Sequence, residues 1–427
     1  MNILQVNFSD LFGNRFNGRD LNKLFESEGH NTSHCVWLKQ GHDEDTWRLS
    51  NLLYRGYFIT LRDIVNRMIY FIERGLSVQS LLYPWSLQLF FDKRFRMADV
   101  VHYHLIHANY FSLLTLPYLT KMKPSVWTIH DPWAMTGHCV YPYDCDRWKH
   151  FCGSCPKLGT VIPMCFDNTR LMARIKRSVY NKLDIDLVFA SKYMLNMAEA
   201  SPLFENMRKH YIPFGLDLNK FRPKNNVRAM FGIPANNLVL CFRSTSYEFK
   251  GLRYIKECLA MLSTTEYAHP VTLLTFNEQG LLDEFEDKFQ IIDLGWVKDE
   301  ETIVNAYNCA DIFLMPSTAE AFGMMAMEAM ACGKPVIVFA GDNALSDTVF
   351  ASQGGGIAVP YRDADALRAA IERLIKSPQE RLAIGEKALE LAREHYDFKV
   401  HAERMLDLYR DVIERRRIIN EGILGRS

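Results

Sequence analysis

The sequence predicts an α/β protein made of two doubly wound domains that face each other across a cleft. Three observations predict it. Short apolar runs alternate with amphipathic ones in two separate series. A stretch with Pro213, Gly215 and Pro223 lies between the series and reads as a joint. The length, 427 residues at 48% hydrophobic and 23% charged, suits a globular chain of two domains of roughly 200 residues each. The boundaries predicted are 1–212 for the first domain, 213–400 for the second, and 401–427 for a final helix packing back on the first.

The first series opens with a strand at 2–8, a polar turn ending at Gly18, and a helix at 19–28 with apolar residues Leu21, Leu24 and Phe25, stopped by Gly29. Strands follow at 32–38, 100–104 and 125–130. The second series places strands at 238–242, 271–276, 291–294, 311–315 and 335–339. Its helices are 251–262, 302–309, 323–331, 364–375 and 378–394. A βαβ order implies parallel sheets with helices on their faces. Ligands of such sheets bind beyond the carboxyl ends of the strands, so the chemistry belongs on loops that follow strands.

Fifty basic and fifty acidic side chains give a net charge of zero, which argues against a whole-molecule grip on nucleic acid. Residues 3–8 are apolar but no basic region precedes them, so they read as a strand and not as a secretory leader. No run reaches the ~20 apolar residues of a membrane span. The expectation is a cytoplasmic chain with reduced thiols. Cys35, Cys165, Cys241, Cys258, Cys309 and Cys332 are scattered and read as small buried hydrophobes.

The most informative stretch is 310–338. A strand ends at Pro316-Ser317, a loop carries Glu320, and a helix opening near Gly323 carries Glu328, eight positions on. The free N–H groups of a helix start lie between the two carboxylates and suit a phosphate. One carboxylate can hold a hydroxyl-rich group at each end, so the order of parts fits a sugar nucleotide. Two solvated glutamates at a helix start is the plainer alternative.

Glu320…Glu328-Ala329-Met330-Ala331-Cys332-Gly333-Lys334-Pro335-Val336-Ile337 resembles the E-x7-E signature of the retaining GT-B glycosyltransferases of glycosyltransferase family 4. That resemblance implies two Rossmann-like domains and transfer of a hexosyl-type group from a UDP- or GDP-sugar to a hydroxyl of a glycan or lipid-linked acceptor. It implies a setting in bacterial surface polysaccharide synthesis. It further implies that Glu320 and the backbone of Phe322, Gly323 and Met324 contact the donor sugar, that Glu328 holds ribose hydroxyls, and that no catalytic metal is needed. Attack from the front face, with donor phosphate helping to take the acceptor proton, requires no protein nucleophile.

Arg243 and Lys250-Gly251 follow a predicted strand, where two cations can neutralise a diphosphate leaving group. The family usually has G-R-x4-K-G here. This chain has Phe242 for the glycine and six residues between Arg243 and Lys250. In the first domain His130 ends a strand, and the resemblance gives it a place at the reaction centre; a neutral imidazole can bond a sugar hydroxyl. His104 is a second strand-end candidate. Asn17-Gly18 loosely matches the family's first glycine loop, where Gly18 lets backbone approach donor phosphate or acceptor.

Cys139, Cys145, Cys152 and Cys155 form a cluster with one CxxC pair. It fits a structural zinc knuckle, with His138 or His150 able to replace one thiolate, two disulfides, or four free thiols; zinc is the reading adopted. Asp144-Cys145-Asp146, Asp184-x-Asp186 and Asp363-x-Asp365 match a metal–diphosphate pattern too short to carry weight.

Between 47 and 97 the chain is aromatic and basic. Arg48, Arg55, Arg62, Arg67, Arg74, Lys93, Arg94 and Arg96 interleave with bulky residues from Leu52, Leu53, Tyr57, Phe58 and Ile59 to Phe71, Leu82, Trp85 and Phe91. This fits peripheral contact with an anionic membrane, on the inner face of the plasma membrane, or the core of the first domain. Arg415-Arg416-Arg417 reads as a solvated face. The rival readings are a nucleotide-sugar epimerase on the same fold and a non-catalytic scaffold. A dinucleotide dehydrogenase fits less, since no G-x-G-x-x-G opens either series.

Overall fold

The structure is a computed structural model that describes residues 1–11, 13, 15, 16, 18–49, 61–265 and 267–424. Two compact units are present, one of Met1–Phe214 with His401–Ser427 and one of Gly215–Val400.

In the first unit the elements are β1 (Asn2–Ser9), α1 (Arg19–Ser27), β2 (Asn31–Leu38), β3 (Thr46–Arg48), α2 (Leu61–Gly75), α3 (Lys93–Met97), β4 (Val100–Tyr103), α4 (Leu116–Met122), β5 (Ser125–Thr128), α5 (Thr169–Tyr180), β6 (Asp186–Phe189), α6 (Lys192–Ala200) and β7 (Arg208–Tyr211). The described strands form one parallel sheet in the order β3-β2-β1-β4-β5-β6-β7. Its central strands are buried on both faces, as helices on either side require.

The second unit holds β8 (Leu238–Ser244), α7 (Leu252–Leu262), β9 (Val271–Asn277), β10 (Gln290–Asp293), α8 (Glu300–Cys309), β11 (Ile312–Met315), α9 (Met324–Ala331), β12 (Val336–Phe339), α10 (Leu345–Thr348), β13 (Ile357–Val359), α11 (Ala364–Lys376) and α12 (Pro378–His395). The sheet runs β10-β9-β8-β11-β12-β13, also parallel. Leu240, Phe242, Leu273 and Leu314 from its strands pack with Ile255, Leu259 and Ile371 from the helices. A last helix, α13 (Phe398–Leu424), leads the chain back into the first unit.

Several expectations need correction. Arg415 and Arg416 do not form a solvated face. Arg415 pairs with the fully buried Asp186 at 2.9 Å and Arg416 with Asp184 at 3.1 Å, so both tie α13 to β6 and the residues before it. Asp184 and Asp186 are thereby occupied, with Arg208 on both as well. Asp363 caps α11, and Asp144 and Asp146 pair with Lys157 and Lys149. The three DxD matches are therefore ion pairs and a helix cap. Cys165, read as buried, is exposed, whereas the other five scattered cysteines are buried.

The 47–97 stretch divides. Trp47, Leu81, Tyr83, Trp85, Leu89 and Phe95 are core, while Arg55, Leu52, Leu53, Tyr57, Phe58 and Ile59 lie outside the described residues. Arg62 is not a surface cation: it is buried with its guanidinium 4.1 Å over the Trp37 ring. Helix α2 is turned the unusual way round. Its polar residues Arg62 and Glu73 face inward, Glu73 accepting three backbone N–H bonds from 80–82, while Leu61, Ile64, Met68, Phe71 and Ile72 face outward.

Candidate functional site

In the second unit the direction of chain progression reverses between β8 and β11, so the loops after these strands diverge and leave a crevice at their carboxyl ends. Lys250 lies in the first loop and Glu320 in the second. They meet there, Nζ to Oε1 at 2.6 Å, with side chains 17% and 9% exposed. Gly251 allows the approach. Its φ is +80°, and a Cβ would stand 1.9 Å from the Pro316 carbonyl oxygen, so any side chain would force the loops apart. The Thr318 N–H also donates to the Phe249 carbonyl at 2.8 Å, joining the same two loops.

Arg243, at the end of β8, lines one cavity of about 290 Å³ with Lys250, Glu320, Ser317 and Met325. Its Nη2 donates to Asn277 Oδ1 at 2.9 Å, and its buried Nε has no hydrogen-bond partner among the described residues. The altered spacing after Arg243 therefore still brings both cations to one place. Helix α9 begins beside Glu320 at Gly323, whose φ of +103° no side chain would take easily and where no side chain caps the helix. Backbone groups of 322–324 thus stand at an uncapped helix start.

Glu328 is placed differently. It is buried inside α9, and its Oε2 accepts a hydrogen bond from the Tyr307 hydroxyl at 2.7 Å. It does not line the cavity that holds Glu320. Sequence reasoning missed Tyr307, which sits inside α8 with nothing in its neighbours to separate it from a core aromatic.

The first unit gathers a second set along β1 and β4 and just beyond the ends of β4 and β5. His130 Nε2 lies 3.0 Å from His104 Nδ1, and His104 Nε2 lies 2.8 Å from Gln5 Oε1. Gln5 Nε2 reaches the Tyr409 hydroxyl at 3.5 Å, which is 2.7 Å from His102 Nδ1, and His102 Nε2 is 2.7 Å from Thr128 Oγ1. With the Gln5 amide so oriented, its Oε1 accepts from the His104 Nε2–H. His104 Nδ1 then accepts from His130 Nε2–H, and His130 keeps Nδ1 as an acceptor. Gly18 packs on the Gln5 side chain, so it joins this group. Phe214 stacks on the His130 ring at 5.7 Å and Phe16 lies 5.2 Å from it, which fixes the imidazole plane. Asp131 accepts from the Trp133 N–H and pairs with His107 at 3.0 Å. Gln5, His102 and Tyr409 escaped the sequence reading because their partners lie up to 404 positions away.

Cys139, Cys145, Cys152 and Cys155 line a separate cavity of about 280 Å³ with their thiols free. Among the described residues, no three His, Cys, Asp or Glu side chains already form a metal-holding group.

Comparison with known proteins bears on the second unit first. Residues 227–391 match the family described as Glycosyl transferases group 1. The family match thus lies within the second unit. Arg243, Lys250, Glu320 and Glu328 all fall inside the group 1 match. A protein of Escherichia coli (strain K12), named for colanic acid biosynthesis as glycosyl transferase WcaC, is 23% identical over 260 residues, 57% of this chain and 60% of that one. The chain spans only about half the length of the inositol 3-phosphate glycosyltransferases it also matches. Among solved structures, sucrose-phosphate synthase of Thermosynechococcus elongatus aligns with a TM-score of 0.67 at 18% identity, covering 97% of this chain and 99% of that one. HepE of Anabaena, solved with UDP and glucose, aligns at 0.62 with 16% identity over 96% and 99%. The two parallel-sheet units thus share the fold of the GT-B glycosyltransferases. Among the described residues no helix is long and apolar enough to cross a membrane.

The buried histidines of the first unit have a pH consequence. Burial lowers the pKa of His34, His102, His104, His130 and His401, bringing His34, His130 and His401 to about 4. The unfolded chain takes up these protons first, at about pH 6.5, so stability is full above that value and is lost as pH falls towards 4. Each such histidine removes roughly 1.4 kcal/mol per pH unit in that window. Thermal unfolding should therefore move to lower temperature between pH 7 and 5, above the range of ordinary carboxylates; an unchanged midpoint would rule out buried neutral imidazoles.

Proposed function

We propose that the chain transfers a hexosyl group from a nucleoside-diphosphate sugar, UDP- or GDP-linked, to a hydroxyl of a glycan or lipid-linked acceptor, with retention of configuration. The observation that carries this reading is the Lys250–Glu320 pair at the reversal point of the second sheet, with Arg243 in the same cavity. Two cations there suit a leaving diphosphate, whose developing charge they stabilise in a largely buried pocket. Glu320 and the backbone of Phe322, Gly323 and Met324 suit the sugar. Glu328, held by Tyr307, suits the ribose hydroxyls. His130 contributes a neutral ring with an acceptor nitrogen, able to take a hydrogen bond from a sugar hydroxyl, and Gly18 gives close backbone approach. No metal is assigned to the chemistry. The likeness to a protein named for colanic acid biosynthesis supports a surface-polysaccharide setting.

A peripheral membrane contact belongs to the same reading. The outward face of α2 presents Leu61, Ile64, Met68, Phe71 and Ile72, each about half exposed or more, and Arg67 and Arg74 lie exposed on the same helix. Apolar residues beside exposed cations suit an anionic lipid surface, where each cation contributes about 1 kcal/mol.

Incubation with a panel of UDP- and GDP-sugars should give turnover of one donor, and turnover that yields only an epimerised donor would replace transfer with epimerisation. Glu328→Gln keeps an acceptor for Tyr307 and should weaken nucleotide binding about tenfold; unchanged calorimetric affinity would remove the ribose assignment. For the membrane contact, Met68→Ser with Phe71→Ser should abolish co-sedimentation with phosphatidylglycerol vesicles. Wild-type protein left in the supernatant would refute that contact.

A further inference from the structure

We propose that Cys139, Cys145, Cys152 and Cys155 hold one Zn²⁺ in a closed four-thiolate shell that pins the loop following β5. The inference is independent of the glycosyl-transfer reading. All four thiols, drawn from a 17-residue stretch, line one small cavity, and none is in a disulfide. They stand on its wall without yet forming a closed shell, and rotation about χ1 carries a sulfur inward. Four soft ligands that include a CxxC pair favour tetrahedral zinc.

Two further features call for negative charge in that cavity. The first is His138, buried and on the cavity lining. The Trp133 indole N–H donates to Gln79 Oε1 at 2.7 Å, which orients the Gln79 amide so that its Nε2 donates to His138 Nδ1 at 2.9 Å. His138 therefore carries its proton on Nε2. Among the described residues that buried N–H has no hydrogen bond of full geometry, its nearest acceptor being the Lys157 carbonyl. A protonated nitrogen cannot ligate a metal, but it can donate to a metal-bound sulfur. The Gly137 N–H already donates to Cys152 Sγ at 3.2 Å.

The second feature is Lys176 of α5. It is fully buried, its Nζ bonded to the Trp133 and Thr136 carbonyls at 2.6 and 2.9 Å and 3.5 Å over the Trp133 ring. It forms no ion pair with a described carboxylate, and the nearby Asp131 is taken by His107. A buried ammonium needs a counter-charge. Four thiols that bind Zn²⁺ release four protons to solvent and leave a centre of net charge −2, next to this cation. Two disulfides or four neutral thiols would leave Lys176 with carbonyl partners but no ion-paired counter-charge among the described residues. The loop also holds Phe151, Cys152 and Ser154 at φ of 63°, 56° and 51°, tied by the Gly153 N–H to Thr169 Oγ1 at 3.0 Å and the Cys155 N–H to Asp167 Oδ2 at 2.7 Å.

The test uses the full chain purified under reductant. Elemental analysis should find close to one zinc per chain, released to a chromogenic chelator as a mercurial titrates the thiols. Cys152→Ser with Cys155→Ser should lose at least nine-tenths of the metal. His138→Ala should keep zinc, bound more weakly. Wild-type protein loaded with Co²⁺ should show the visible band of tetrahedral thiolate cobalt, a readout that does not depend on any variant folding. Folded wild-type protein that takes up no zinc, that holds iron instead, or that contains two disulfides would overturn the proposal. Complete zinc loss in a folded His138→Ala variant would overturn the all-thiolate shell.

Discussion

The ion pair between Lys250 and Glu320 is the interaction on which the second unit's site depends. It exists because two loops leave neighbouring strands β8 and β11 at the point where the sheet's winding reverses, and because Gly251 lets their backbones touch. Neither charge is well hydrated, so each depends on the other while the cavity is free of ligand. Such a pair is poised for exchange. A diphosphate offers Lys250 a stronger anion, and a sugar offers Glu320 hydroxyl donors, so one ligand carrying both groups satisfies both ends at once.

The first unit solves a different problem. Its polar groups at the strand ends are buried histidines joined through Gln5, Tyr409 and Thr128 into one chain of hydrogen bonds. Each group in the chain satisfies the next, so the network holds no net charge and orders itself by proton direction. Its open end is His130 Nδ1. The cysteine loop begins only a few residues beyond His130, and Lys176 and Trp133 connect the two. Whatever fixes that loop also fixes the residues that follow β5.

The sequence made the alternation of elements legible because each parallel strand is a short apolar run and each helix has its own period. Arg243, Lys250 and Glu320 were legible for the same reason, being polar residues placed just after such runs. Contacts far apart in the chain were not. Tyr409 meets His102 across 307 positions, and Arg415 meets Asp186 across 229, with no local pattern to mark either. The sequence leaves the 47–97 stretch open between surface and core, because periodicity alone does not say which face of a helix is buried; in α2 the apolar face is outward. Glu328 was placed correctly on its helix, yet its burial against Tyr307 depends on the packing of α8 on α9.

Calorimetric titration of UDP and GDP into wild type, Lys250→Met and Glu320→Gln tests the central claim most directly. Lys250→Met should weaken binding of the preferred diphosphate about tenfold or more. Glu320→Gln should strengthen it, because the lysine is then left without its competing carboxylate. Equal affinities for all three proteins would contradict the account.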